Sequence, residues 1–159
     1  MAFNRMRLIG GVGLVLAALA PAALAQDQAK VLEQRQALMK AIGGNMKALN
    51  EIARGDRDEG PQDVARRARE INESAKRIAV MFQPEVHIGN VSGDLKTTAK
   101  PEIWQEPEKF RGGVAKLDQA SLDLAAAADS GDKERIRTAV ADLAKTCGGC
   151  HEVFRVKKQ

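Results

Sequence analysis

Four stretches of this chain set apolar residues at alternating steps of four and three, the rhythm that keeps side chains on one face of an α-helix. The second stretch holds it with Val64, Ala68, Ile71, Ala75, Ile78 and Phe82, and the third with Phe110, Val114, Leu117, Ser121, Leu124 and Ala128. The fourth repeats it with Ile136, Val140, Leu143, Cys147, Cys150 and Phe154, while the first, over residues 27–54, carries Leu38, Met39, Ile42, Met46, Leu49 and Ala53. Punctuation falls between them. Gly55 stops the first helix, Gly60-Pro61 opens the second and Pro84 ends it, Pro101 or Pro107 opens the third, and Asp132 after Ser130-Gly131 is a good N-cap for the fourth. Two connections are short and one, residues 83–100, is long, which predicts an all-α, antiparallel up-down-up-down four-helix bundle. The absence of Tyr and an apolar content dominated by Ala argue against a β-sandwich or barrel. A chain of 159 residues makes one domain of this kind, and no internal repeat is visible.

The N-terminus reads as an address. Arg5 and Arg7 precede an apolar run without any acid, and Ala23-Leu24-Ala25 has the small-residue spacing of a peptidase site. Residues 1–25 are therefore expected to be a cleaved signal peptide and residues 26–159 the mature domain, exported to the periplasm with no membrane span left. The alternative is a short N-terminal anchor, which Pro21 interrupts. The two arginines are not adjacent, so the twin-arginine route is not indicated, and a cofactor would be added after export. Loss of those two arginines lowers the formal net charge from +4 to +2, too even a balance for a nucleic-acid partner.

One motif carries chemistry. Cys147-Gly148-Gly149-Cys150-His151 has the spacing for covalent haem attachment, two thiols for two thioethers and an imidazole for the iron. On a helix these three residues stand at i, i+3 and i+4, on the very stripe that faces the bundle. A haem c there would supply the flat apolar body that Phe82, Phe110, Phe154 and Trp104 alone do not. Two other readings compete. A redox-active Cys147–Cys150 disulfide suits an exported protein but is usually sited at a helix N-terminus. Zinc would need a fourth ligand, and the only other histidine is His87 in the long loop.

His151 supplies one axial ligand, and the opposite side of the iron decides the function. A Met sulfur there closes the iron for electron transfer; an apolar residue leaves it open to small gases. Outside the leader the methionines are Met39, Met46 and Met81. The antiparallel arrangement sets His151 level with the N-terminal half of the first helix and the end of the second. Met46 lies a further ~10 Å along from Met39. Spacing thus leaves Met39 and Met81 as candidates, each equally able to be a core filler.

The distribution of motifs resembles the class II cytochromes c, the cytochrome c prime family. The matching segments are Arg35-Gln36-Ala37-Leu38-Met39, Gly44-Asn45-Met46, Pro101-Glu102-Ile103-Trp104, the cysteine motif near the C-terminus, and His151-Glu152-Val153-Phe154-Arg155 followed by Lys157-Lys158. The resemblance implies the four-helix bundle with one covalently bound haem, and is greatest to the low-spin cytochrome c-556 branch, in which a Met at the site of Met39 is the sixth ligand. It further implies that Arg35 approaches a haem propionate and that Arg155 lies against the proximal side. Gly60-Pro61-Gln62-Asp63 departs from the Pro-Tyr-Asp of many relatives, away from the haem site.

The expected function is accordingly a periplasmic monohaem carrier of single electrons, not an enzyme, with Cys147 and Cys150 attached to haem and His151 and Met39 on iron. The alternative is a five-coordinate protein that binds nitric oxide or carbon monoxide, and a third reading is a haem-free helical interaction protein with a disulfide. Redox proteins are the expected partners, with a homodimer possible in such a family; Lys145, Arg155, Lys157 and Lys158 near the motif could steer an acidic one.

Overall fold

The computed structural model describes residues 20–157, with side chains from residue 23 onward. Most of the expected leader therefore lies outside the described residues. Five helices follow one another: α1 (Ala20–Arg54), α2 (Pro61–Met81), α3 (Glu102–Gln105), α4 (Pro107–Asp129) and α5 (Lys133–Phe154). The four long ones form an antiparallel bundle, and among the described residues no helix is long and apolar enough to cross a membrane.

Each boundary has a local cause. Gly55 adopts φ +83°, a left-handed conformation open to glycine, and the Asp56 N–H donates to the Glu51 carbonyl at 2.8 Å, closing α1. Pro61 occupies the first turn of α2, where its missing N–H costs nothing. The Asp132 carboxylate accepts from the N–H groups of Glu134 and Arg135 at 2.9 and 3.1 Å, capping α5. Both prolines proposed as openers of the third helix are used. Pro101 precedes the single turn of α3, and Pro107 then forces Glu106 out of helical geometry, to φ −120° and ψ 58°, before α4 begins.

Sequence spacing started α1 near residue 27, whereas the helix is already present at Ala20, the first described residue, and runs through the expected cleavage point. The Ala and Leu around that point are strong helix formers, so no residue there breaks the backbone pattern.

The stripes become the core. Leu49, Ala68, Ile71, Ala75, Leu124 and Leu143 have no exposed surface, and Leu38, Ile42, Val64, Ile78, Ile136 and Val140 are buried beside them. One polar group in the stripe, Ser121, is satisfied: its hydroxyl donates to the Asp118 carbonyl at 2.7 Å and receives Asn72 Nδ2 at 3.2 Å, joining α4 to α2. α4 packs extensively on both α2 and α5, and α1 packs on α2. α1 and α5 meet least of these neighbours. The cysteine motif stands in the last turns of α5, with Cys150 close to Gly113 of α4.

Candidate functional site

The last turns of α5 carry the motif as the spacing predicts, with Cys147, Cys150 and His151 all half-buried and both cysteines packed against the core. Both thiols are free. Burial pushes each thiol pKa above its ordinary value, opposite to the lowered pKa of a reactive redox thiol. Burial, and then the charge of Arg155, lower the pKa of His151, which favours the neutral imidazole a metal needs. Zinc is not supported: among the described residues no three His, Cys, Asp or Glu converge on a point that could hold a metal ion.

Glycine clears the ground around the motif. A Cβ on Gly113 of α4 would stand 3.5 Å from Cys150 Sγ, so the bare backbone leaves the thiol its room, and nothing lies within 4 Å of a Cβ built on Gly148 or Gly149.

Above this the three stripe phenylalanines form a cluster with Trp104, His87 and Arg35, which the apolar stripes did not include. Phe110 packs on Phe82 and edge-on to Phe154, with centroids at 5.4 and 5.2 Å. Trp104 Nε1 donates to the Phe82 carbonyl at 2.9 Å, and the His87 ring lies 5.7 Å from the Trp104 ring. Into this cluster runs Arg35, only 4% exposed. Its guanidinium stands 4.4 Å from the Phe82 centroid and 5.4 Å from Trp104. Nε donates to the Met81 carbonyl at 2.9 Å, one Nη to Val86 at 2.8 Å and the other to Pro84. Burial lowers its pKa to about 10, so it remains charged at neutral pH. Three of the five guanidinium N–H groups are thereby committed, leaving two. The sequence held a signal for this burial: Arg35 precedes Leu38, Met39 and Ile42 by three, four and seven, in phase with the buried face.

The methionines separate. Met46 is buried deep in the bundle, while Met39 and Met81 are both partly buried against the same core as the cysteines. Met81, however, also lines an outward groove between α1 and α2 with Gln34, Ala37, Ala41, Ser74 and Arg77. Arg155 is exposed, its backbone N–H donating to the His151 carbonyl at 3.1 Å. Around it the end of the long loop is stitched to the tail of α5: Ala99 bridges Arg155, the Lys100 N–H donates to Phe154 at 3.0 Å and the Val156 N–H to Thr98 at 2.8 Å.

Two thiols and an imidazole on one inward helix face, with glycine opposite the second thiol, fit a covalently held haem. Comparison with known proteins agrees. The family described as Cytochrome C' matches residues 17–155. The cytochrome c' of Pararhodospirillum photometricum is 35% identical over 78% of this chain and 94% of its own length. The cytochrome c-556 of Agrobacterium tumefaciens (strain II Chrys) is 32% identical over 80% and 98%. Among solved structures, cytochrome c' from Thermochromatium tepidum is 26% identical with a TM-score of 0.69, covering 82% of this chain and 97% of that one. The nitric oxide complex of a leucine-to-alanine variant of cytochrome c prime from Alcaligenes xylosoxidans has the same coverage, 21% identity and a TM-score of 0.70.

The chain belongs to the cytochrome c' family. The cofactor that goes with this family and with two cysteines is one covalently attached haem c.

Proposed function

We propose that the protein is a periplasmic one-electron carrier in which Cys147 and Cys150 hold the haem by thioethers and His151 and Met39 ligate its iron. When bound, the haem supplies a one-electron couple, and axial ligands and burial set its potential. The chain's own part is to keep both ligands in place and water away. His151 is held on the last turn of α5, half-buried, with its imidazole biased to the neutral form. Cys147 and Cys150 would hold the haem through thioether bonds, whose formation by addition of a thiol S–H across a vinyl group would need no oxidant. The two free N–H groups of Arg35 are what it can offer a propionate.

The observation that carries the choice of Met39 is the outward groove. Met81 lines that groove with Gln34, Ala37, Leu38 and Ala41 of α1 and Ser74 and Arg77 of α2, whereas Met39, one turn beyond Arg35 on α1, packs against the core without lining the groove. The test is the optical spectrum of the matured protein, with and without carbon monoxide. A sharp reduced spectrum indifferent to carbon monoxide is expected, and Met39→Leu should convert it to one that responds at once. An unchanged Met39→Leu spectrum removes Met39 from the iron.

A second reading has specific support. Several similar solved proteins are cytochromes c', four of them with nitric oxide bound, and a five-coordinate iron that binds nitric oxide or carbon monoxide would follow if Met39 is not bound. In that case the wild-type spectrum responds to carbon monoxide before any mutation.

A further inference from the structure

The long loop does more than connect α2 to α3. α2 ends at Met81, whose carbonyl accepts from Arg35 Nε, so the part of α1 that precedes Arg35 lies beyond the reach of α2. The loop takes over there. Residues 82–92 run back along α1 against its direction, held first by Arg35 on the carbonyls of Pro84 and Val86. Gln28, seven residues earlier on the same face of α1, holds the far end: Nε2 donates to the Asn90 carbonyl at 3.0 Å, and Oε1 accepts the Ser92 N–H at 2.8 Å. Leu32 and Val86, 6% and 4% exposed, are buried in the same stretch. The loop is itself anchored, through the Ile88 N–H on the Ala99 carbonyl and the bridge from Ala99 to Arg155. A chain of contacts therefore joins the segment just after His151 to the helix turn just before Met39.

We propose that this strap, clasped to α1 by Arg35 and Gln28, positions Met39 and thereby sets how readily the sixth ligand gives way to a gas. The inference rests on Met39 as a ligand. Met39 packs against the core one turn beyond Arg35, and the part of α1 just before it is tied to the loop through Arg35 and Gln28, so the strap bears on the turn next to Met39. Arg35 and Gln28 are positioning residues, acting through α1 rather than on the iron. The apparent affinity for a gas scales with the fraction of molecules in which Met39 is displaced, so a strap that loosens raises it in proportion.

The experiment compares matured wild type with Arg35→Leu, Gln28→Ala, Met39→Leu and the double variant Arg35→Leu/Met39→Leu. Carbon monoxide binding to the reduced protein is read by absorbance, and amide exchange at Val86, Ile88 and Ser92 reports the strap. Faster exchange is expected in both strap variants, with carbon monoxide affinity up about tenfold in Arg35→Leu and about twofold in Gln28→Ala. Arg35→Lys, which keeps the charge and one donor group, should recover part of the loss. The double variant should bind carbon monoxide no better than Met39→Leu alone. Faster exchange without a change in carbon monoxide binding overturns the proposal, as does an Arg35→Leu effect of equal size in the Met39→Leu background. Gln28→Ala keeps the test open if Arg35→Leu does not fold, and it lies away from any propionate contact of Arg35. A wild type that binds carbon monoxide at once and matches Met39→Leu sinks the Met39 assignment itself, and this inference with it.

Discussion

The two ends of the bundle are closed by different physics. At the end where α1 turns into α2 and α4 into α5, the connections are short and the ties are numerous, exposed or half-buried, and shared among several pairs. Arg57 pairs with Glu51 and Glu59, Arg67 makes two 2.8 Å bonds to Glu59, and Arg69 reaches Asp129 on α4. At the motif end a single buried guanidinium, a knot of aromatic rings and a loop of carbonyls do the same work. Exposed ion pairs contribute little each and can be lost one at a time. A buried cation on three carbonyls cannot, because removing it takes the guanidinium donor from the Met81, Pro84 and Val86 carbonyls at once, and of these the Pro84 carbonyl alone has another donor among the described residues, the Val86 N–H. The end that must hold a cofactor is thus the less redundant one, and damage there reaches the site directly.

The sharpest test of this contrast is Phe110→Ala. That ring touches both Phe82 and Phe154, is 8% exposed, and its loss should cost about 3–5 kcal/mol in urea unfolding of the haem-loaded protein. Arg35→Leu should follow at about 3 kcal/mol, with the earliest loss of amide protection in residues 82–92 rather than at the opposite turns. Uniform loss of protection along the chain would show that Arg35 is no local clasp. At the other end Asp132→Ala removes the cap of α5 and should cost about 1 kcal/mol, leaving the optical spectrum untouched.

The smallest effect concerns Glu59. Its carboxyl is lowered from 4.5 to about 2, first by the hydrogen bond from Arg67 and then by that from Arg57. A carboxyl lowered by folding stabilises the fold above its unfolded value and ceases to do so as pH falls through the folded one. Acid titration of wild type against Glu59→Gln should therefore diverge at neutral pH and converge as pH falls from about 4.5 toward 2. A Glu59→Gln variant with an unchanged pH profile would mean that the Glu59 pairs with Arg67 and Arg57 contribute nothing.

Much of this was legible in order along the chain. The three stripes of α2, α4 and α5 needed only residue spacing, because burial along a helix repeats with the helix itself. The cysteine motif was legible for a related reason: its three groups are neighbours on one helix, so local geometry brings them together. Arg35 was harder. Its phase with Leu38 and Met39 placed it on the inner face, but its partners are carbonyls of Met81, Pro84 and Val86, and backbone acceptors have no residue signature. Similarly, spacing could not choose between Met39 and Met81, since both lie in phase with apolar faces; it was the family resemblance that pointed to Met39, and Met81 in addition lines the α1–α2 groove.

By itself, then, the sequence determined the helices, their antiparallel order and the inward face of Cys147, Cys150 and His151, all of which follow from interactions within a few residues. Tertiary structure alone decided that residues 82–92 lie back along α1, that α1 and α5 meet least, and that one buried arginine ties the loop to the helix of Met39. Those outcomes depend on carbonyls and rings from distant segments meeting in space, which no local pattern encodes.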